Sequence, residues 1–182
     1  MHKLAPPARP RPLERSKRAP RPHLSATHAV RPACPSDAQA IHDLVAPFAA
    51  QRLMLPRTLE EIEADLDAYV VVVDANDRVK ACAALYEYSP SLAEIGSVAV
   101  ACEAQGNGLG SLAVRGAEAV ACRRGIGELF AMTLTEEFFE SLGYAPTDVE
   151  RFPEKLSRYE RLRAAGIEVV PRTCLAKITR WA

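Results

Sequence analysis

The sequence predicts an α/β fold in which a mixed β-sheet is flanked by helices on both faces. Apolar segments of strand length alternate along the chain with longer segments whose apolar residues recur at helical spacing. Such alternation is typical of a sheet covered by helices. The length of 182 residues, with 48% hydrophobic and 25% charged residues, suits one globular domain with a sizeable core.

The first 27 residues predict a disordered tail ahead of a folded domain over residues 28–182. Seven lysine and arginine residues lie within residues 1–28 against one acid, Glu14. Six prolines interrupt any helix or strand there: Pro6, Pro7, Pro10, Pro12, Pro20 and Pro22. An overlong choice of start codon, an organelle-targeting peptide and a nucleic-acid-binding arm are the alternatives.

The N-terminal elements of the domain are predicted from prolines and helix caps. A short strand over 28–31 ends at Pro32. Ser36 is expected to cap a helix to about Gln51, in which Pro47 predicts a kink or an early end.

A second helix and a hairpin follow. The sequence 58–61 (TLEE) is a capping box and predicts a helix to about Leu66. The continuous β-branched run over 69–73 predicts a buried strand, which the turn 74–77 joins to a partner strand over 78–88.

The remaining elements surround a glycine-rich loop. A strand over 94–100 leads into this loop, and the helix after it, 109–124, is expected to stop at Gly125. The last predicted elements are a strand over 127–133, a helix from the cap Thr135 through Leu142, a helix over 153–165 and a strand over 167–178 interrupted by Pro171.

Charge and cysteine spacing exclude several classes of function. Beyond the tail the chain carries 16 basic and 22 acidic residues, so its net charge of −6 disfavours nucleic acid. No apolar run approaches the roughly 18 residues that a membrane span needs. The five cysteines are scattered, without the spacing of a zinc site or a disulfide framework, and indicate reduced thiols in the cytoplasm and no bound metal.

The loop over 105–110 (QGNGLG) predicts an anion site. Unpaired amides at a helix start, together with glycines that allow close approach, suit a phosphate. A P-loop is excluded because Gly110 is followed by Ser111 and Leu112, with no lysine. The glycines also lack the spacing of the dinucleotide-binding fingerprint, and the loop follows a fourth strand rather than a first.

The loop and its surroundings resemble the GCN5-related N-acetyltransferase (GNAT) family. Gln105, Gly108 and Gly110 fill that family's pattern Gln/Arg-x-x-Gly-x-Gly. The resemblance covers about residues 28–178 and implies a mostly antiparallel sheet of about seven strands, with acetyl-CoA as the acetyl donor. The residues that it implies for binding the donor are Val98 and Val100, with the amides of the loop and helix start: Gln105, Gly106, Asn107, Gly108, Leu109, Gly110 and Ser111.

A narrower resemblance is to the acetyltransferase domain of N-acetylglutamate synthase, in its short, stand-alone form. The segments that carry it are 53–57 (LMLPR), 82–85 (CAAL), 93–95 (AEI), 129–133 (LFAMT) and 152–155 (FPEK). It implies transfer of acetyl to the α-amino group of L-glutamate, the first step of arginine biosynthesis. Another small amine, a protein N-terminus, or a non-catalytic acyl-CoA sensor are the alternatives. A homodimer is the expected assembly.

The same resemblance assigns roles to individual residues. Glu94 is the general base, which takes the proton that the substrate ammonium must lose before it attacks the thioester directly. Thr133 places a hydroxyl near the departing sulfur; Tyr144 is a rival acid, although a tyrosine after a helix-ending Leu-Gly is more typical of packing. The substrate-binding residues are Arg57, Ser97 and Arg172, since arginines pair well with carboxylates.

Overall fold

The structure, a computed structural model, describes residues 28–179. The predicted tail lies outside the described residues. The strands are β1 (His28–Pro32), β2 (Tyr69–Asp74), β3 (Val79–Ser89), β4 (Leu92–Val100), β5 (Glu128–Thr133), β6 (Ala145–Thr147) and β7 (Thr173–Ile178). The helices are α1 (Ala38–Ala50), α2 (Leu59–Ala64), α3 (Leu109–Arg124), α4 (Glu136–Glu140) and α5 (Pro153–Ala164).

The seven strands form one sheet in the order β1-β2-β3-β4-β5-β7-β6. Every neighbouring pair is antiparallel except β4 and β5, which are parallel. Their pairing extends only from Leu92–Glu128 to Glu94–Phe130, although both strands continue beyond it. The sheet therefore opens between β4 and β5.

Strand β2 is apolar throughout because both of its faces are covered. Val70 and Val72 belong to a core that includes α3, whereas Val71 and Val73 belong to a second core that includes α1 and α2. This two-sided burial confirms the prediction of helices on both faces of a mixed sheet.

The predicted cap at Ser36 is wrong. A short 3₁₀-helix over Pro35–Asp37 precedes α1, and Asp37 is the residue at the helix start. The Asp37 carboxylate accepts from the Cys34 amide at 2.8 Å and from the Arg31 guanidinium at 2.6 Å. Helix α1 also runs through Pro47 to Ala50, so the proline does not end it early.

The C-terminal part departs most from the prediction. Strand β7 begins at Thr173 rather than at residue 167, and residues 167–172 have no regular secondary structure. Arg172 thus precedes the last strand instead of lying on it. Strand β6 was not predicted, and α4 is shorter than the 135–142 expected.

Within residues 28–179, no helix is long and apolar enough to cross a membrane. The same residues contain no group of three or more His, Cys, Asp or Glu side chains that could hold a metal ion.

Candidate active site

A cleft of about 470 Å³ opens where β4 and β5 part. One wall is the stretch from Ile95 to Val98 with Val100, and the other is the stretch from Met132 to Thr135. The cleft brings together nine of the predicted site residues: Arg57, Glu94, Ser97, Val98, Val100, Gln105, Gly110, Thr133 and Arg172.

A β-bulge shapes the β4 wall. Cys82 pairs with Ala99 and Ala84 pairs with Gly96, so Ser97 and Val98 both lie opposite Ala83. Ser97 adopts a positive φ of 48°, which is uncommon for a residue with a side chain. The bulge turns this part of β4 out of its ladder with β3, as bulges next to active sites do.

The glycine loop forms the start of α3 at one end of the cleft. Gly106 and Gly108 have φ values of 76° and 79°, which glycine adopts without strain. A Cβ atom on Gly110 would lie 3.4 Å from Val100 Cγ2 and 3.5 Å from the Phe138 ring, so the chain packs closely there. The unpaired amides of the first helical turn suit an anion such as a pyrophosphate.

The other loop residues have separate environments. The Leu109 side chain is buried in the core, so only its main chain is available to a ligand. The side-chain amide of Gln105 donates to the Val100 carbonyl, and the side-chain amide of Asn107 donates to the Ala104 carbonyl, both at 3.3 Å. These bonds hold the loop between β4 and α3. Ser111 lies in the first turn of α3.

Glu94 lies near the opposite end of β4, in a buried ion pair. Its exposed fraction is 5%, and that of Lys155 is 2%. Lys155 Nζ lies 2.6 and 2.8 Å from the two carboxylate oxygens, and the Tyr88 hydroxyl donates to Oε2 at 2.9 Å. Burial lowers the pKa of Lys155, although the Glu94 carboxylate opposes this shift.

Thr133 ends β5 on the facing wall. Its hydroxyl accepts from the Thr135 amide at 2.9 Å and lies 3.1 Å from the Thr135 hydroxyl. Thr135 occupies the start of α4, but its side chain makes no capping hydrogen bond. These contacts hold the Thr133 hydroxyl in place at the wall of the cleft.

Cations cluster near Glu94. The cleft is lined by Arg57, Arg158, Arg172 and Lys155, with Glu94 as the acidic residue among the described residues that line it. Glu94 and Val100 pair with Tyr86 and Ala81 on β3, five residues apart, so at about 3.3 Å per residue they are about 17 Å apart along the sheet. These cations thus lie away from the end of the cleft at the glycine loop.

The chain matches the model of a known protein family. The model of the Acetyltransferase (GNAT) family matches residues 37–144. The chain belongs to the GNAT family. Its seven-stranded, mostly antiparallel sheet confirms the predicted GNAT fold.

Several GNAT relatives are similar to the chain. An uncharacterized N-acetyltransferase of Chlorobaculum tepidum is 37% identical over 134 residues, which cover 74% of this chain and 86% of that protein. An amino-acid acetyltransferase of Pectobacterium atrosepticum is 31% identical over 143 residues, covering 76% of this chain and 32% of that protein. The chain therefore spans about a third of the length of the latter.

Solved structures of other proteins share the fold of this chain. N-acetylglutamate synthase from Neisseria gonorrhoeae, complexed with coenzyme A and N-acetyl-glutamate, aligns with a TM-score of 0.75 at 25% identity. The alignment covers 86% of this chain and 36% of that one. A Mycobacterium tuberculosis protein in complex with CoA shares the fold at a TM-score of 0.74 and 24% identity, covering 84% and 99% of the two chains. The chain is an N-acetyltransferase that uses acetyl-CoA as its donor.

Four titratable residues that line the GNAT cleft were not among the predicted site residues: Tyr86, Lys155, Arg158 and Tyr159. One signal was available for Lys155. Lys155 is the third residue of α5, where the positive end of the helix dipole disfavours a lysine. A lysine at this position indicates a contact with an acidic group outside the helix. Tyr144, the rival acid, is outside the set of residues that line the cleft and packs edge-on against Phe139, with ring centroids 5.2 Å apart.

Proposed function

We propose that this GNAT enzyme transfers the acetyl group of acetyl-CoA to the α-amino group of L-glutamate. The observation that carries the proposal is the group of cations beside Glu94, which suits an acceptor with two carboxylates. The similarity to an amino-acid acetyltransferase and to an N-acetylglutamate synthase complexed with N-acetyl-glutamate supports the same acceptor. We place the reaction in the cytoplasm, at the first step of arginine biosynthesis, in a homodimer.

In this proposal the donor occupies the end of the cleft next to α3. The main chain of Val98 and Val100 pairs with the pantetheine arm, as an added strand would. The main-chain amides from Gly106 through Ser111 hold the pyrophosphate. The positive φ at Gly108 and the place of Gly110 in the lining of the cleft support this role, because glycine at both positions leaves the main chain open to a ligand.

Glu94 acts as the general base of the proposed reaction. Acetyl-CoA supplies an acyl carbon that is open to attack, and the chain must then remove a proton from the acceptor ammonium. The contacts from Lys155 and Tyr88 fix the position of the Glu94 carboxyl group in the cleft. The Thr133 hydroxyl donates to the departing sulfur, and Arg57, Ser97 and Arg172 contact the acceptor.

A thiol-release assay with acetyl-CoA and a panel of free amino acids tests the acceptor. We expect the highest kcat/KM with glutamate, well above that with glutamine or uncharged amino acids. Preference for an uncharged amine would contradict the acidic acceptor. Acetyl-CoA binding without turnover of any acceptor would identify a sensor instead.

The variant Glu94→Gln tests the base. We expect turnover at neutral pH to fall about 10²- to 10⁴-fold, because the amide cannot accept the proton, while the acetyl-CoA Kd stays unchanged. Glu87→Gln is the matched control, since Glu87 is a strand carboxylate that pairs with Arg124 outside the cleft. Full activity of Glu94→Gln at neutral pH would remove Glu94 from the mechanism.

A further inference from the structure

We propose that Tyr86 is a positioning residue that holds Arg57 and Arg158 together as one carboxylate-binding pair, and that Arg158 recognises the side-chain carboxylate of the acceptor. The inference rests on the proposed function, because it names residues that would give that function its specificity. Arg158 has no role in the sequence-based assignment.

Tyr86 is fixed in the wall of the cleft by its neighbours. It pairs with Glu94 across the β3–β4 ladder. Its hydroxyl lies 2.8 Å from Ser97 Oγ and 3.0 Å from the Tyr69 hydroxyl, and the Tyr69 ring meets it edge-on. These contacts set the plane of the ring before any ligand binds.

Gly96 leaves the space that the Tyr86 ring occupies. A Cβ atom at position 96 would lie 2.9 Å from Tyr86 Cε2 and 3.2 Å from Cδ2, closer than such atoms approach. A side chain at position 96 and the present orientation of Tyr86 therefore exclude each other. Because residue 96 is a glycine, the Tyr86 ring lines the cleft at this point.

Two guanidinium groups from distant elements lie over this ring. The Cζ atom of Arg57, just before α2, is 4.5 Å from the ring centroid, and that of Arg158, in α5, is 5.4 Å away. Guanidinium groups stack favourably on an aromatic face, and stacking leaves their N–H edges free to bind a carboxylate. The Tyr86 ring thus contacts two cations from separate elements.

The pair has little carboxylate to neutralise it. The nearest carboxylate oxygen to the Arg57 guanidinium belongs to Asp65, at 4.0 Å. Within the described range 28–179, no carboxylate lies within 4.0 Å of the Arg158 guanidinium. Two guanidinium groups over one ring, neither with a carboxylate oxygen closer than 4.0 Å, favour a bound anion.

The position of the pair indicates which carboxylate it binds. Lys155 contacts Glu94, so it lies nearest to the reacting amine and to the carboxylate on the same carbon. Arg172 already donates to the carbonyls of Val170 and Arg52, at 2.9 and 3.3 Å. We therefore assign the side-chain carboxylate to Arg57 and Arg158, whose guanidinium groups lie over the Tyr86 ring.

Steady-state kinetics of Arg158→Gln with glutamate and glutamine test the proposal in the full chain. We expect the KM for glutamate to rise about 10- to 100-fold, the effect of losing a charged hydrogen bond, with the KM values for glutamine and acetyl-CoA within about twofold. Arg163→Gln, at an exposed position of the same helix, is the control and should behave as the wild type. Equal increases for glutamate and glutamine would overturn the assignment to the side-chain carboxylate.

Two variants of Tyr86 separate positioning from folding. Tyr86→Phe keeps the ring and should raise the KM for glutamate less than about threefold. Tyr86→Leu removes the ring and should raise it as much as Arg158→Gln does. An equal effect of both variants would overturn the role of the ring, and thermal unfolding of each shows whether it remains folded.

Calorimetry with glutarate distinguishes this inference from the proposed function. Glutarate carries two carboxylates but no amine, so its binding does not depend on which amine is acetylated. If glutarate binding depends on Arg158 but the enzyme does not acetylate glutamate, the inference is retained and the proposed function is rejected. Glutarate binding that is equal in wild type and Arg158→Gln would reject the inference alone.

Discussion

Lys155 of this GNAT domain forms a buried ion pair with Glu94, the proposed base. It neutralises a carboxylate that is 5% exposed, and its ammonium group is 4.7 Å from the centre of the Tyr159 ring. A buried ion pair is a weak source of net stability, because desolvation of both charges offsets their attraction. Removing one partner is different, since the other charge then stays buried without compensation.

The variant Lys155→Met should lower the free energy of unfolding by about 3–5 kcal/mol, as breakage of a buried ion pair does. Urea unfolding at neutral pH measures the change. Arg151→Gln breaks the more exposed pair with Glu128 and should cost at most about 1 kcal/mol. Similar losses in the two variants would show that Glu94 gains compensation from water or from Tyr88.

At the scale of elements, the start of α3 carries both an unusual backbone conformation and the proposed pyrophosphate site. Gly108 before the helix and Gly125 after it have nearly equal φ values, 79° and 82°. A side chain at either position is strained by about 1–2 kcal/mol. They differ in location, because Gly108 belongs to the loop at the donor end and Gly125 faces open space.

Gly108→Ala should therefore weaken acetyl-CoA binding, whereas Gly125→Ala should leave it unchanged at a similar loss of stability. Calorimetric titration gives the Kd values, and thermal unfolding gives the stabilities. Weakened binding in both variants would mean that general loss of stability, and not the loop, controls donor affinity.

Strand β1 and helix α1 are joined by the Arg31–Asp37 ion pair. The hydrogen bond from Arg31, reinforced by the Cys34 amide and opposed by burial, holds the pKa of Asp37 below its usual 3.8. The fold thus favours the ionised carboxyl. The resulting stability is complete above pH 3.8 and is lost as the pH falls through the lower pKa of the folded state.

Asp37→Asn should cost about 1.5–3 kcal/mol near neutral pH, the value of a hydrogen bond to a charged group. The difference from wild type should shrink below about pH 3.8, where the wild-type carboxyl also becomes protonated. Urea unfolding across this pH range measures both effects. Asp43→Asn, at an exposed carboxyl of α1, is the control, and a difference that persists unchanged in acid would rule out the ionised Asp37 as its source.

At the scale of the whole molecule, the described residues 28–179 include a core on each face of the sheet and the lining of the cleft. A chain shortened to 28–182 should keep the kcat/KM and the melting temperature of the full chain, as the prediction of a tail outside the domain requires. The thiol-release assay and thermal unfolding compare the two. A large loss of either would show that residues 1–27 contribute to the domain or its site.

Two elements with a clear local sequence pattern were predicted correctly. Helix α3 begins and ends where its glycines predict, and the apolar run of β2 is a strand covered on both faces. Strand β6 has only three residues, one of them Pro146, and forms by pairing with β7. Such an edge strand has no local pattern of its own.

At the acceptor end of the site, some residues were likewise predicted from sequence patterns and others were found only in the tertiary structure. The sequence by itself determined the GNAT fold, the glycine loop and the likeness that indicates Glu94 and Arg57, because motifs and periodic patterns depend on near neighbours. Only the tertiary structure joined Lys155 to Glu94, 61 residues away, and placed Arg158 with Arg57 on the Tyr86 ring. Contacts between distant segments follow from packing of α5 against the sheet, and no local pattern records them.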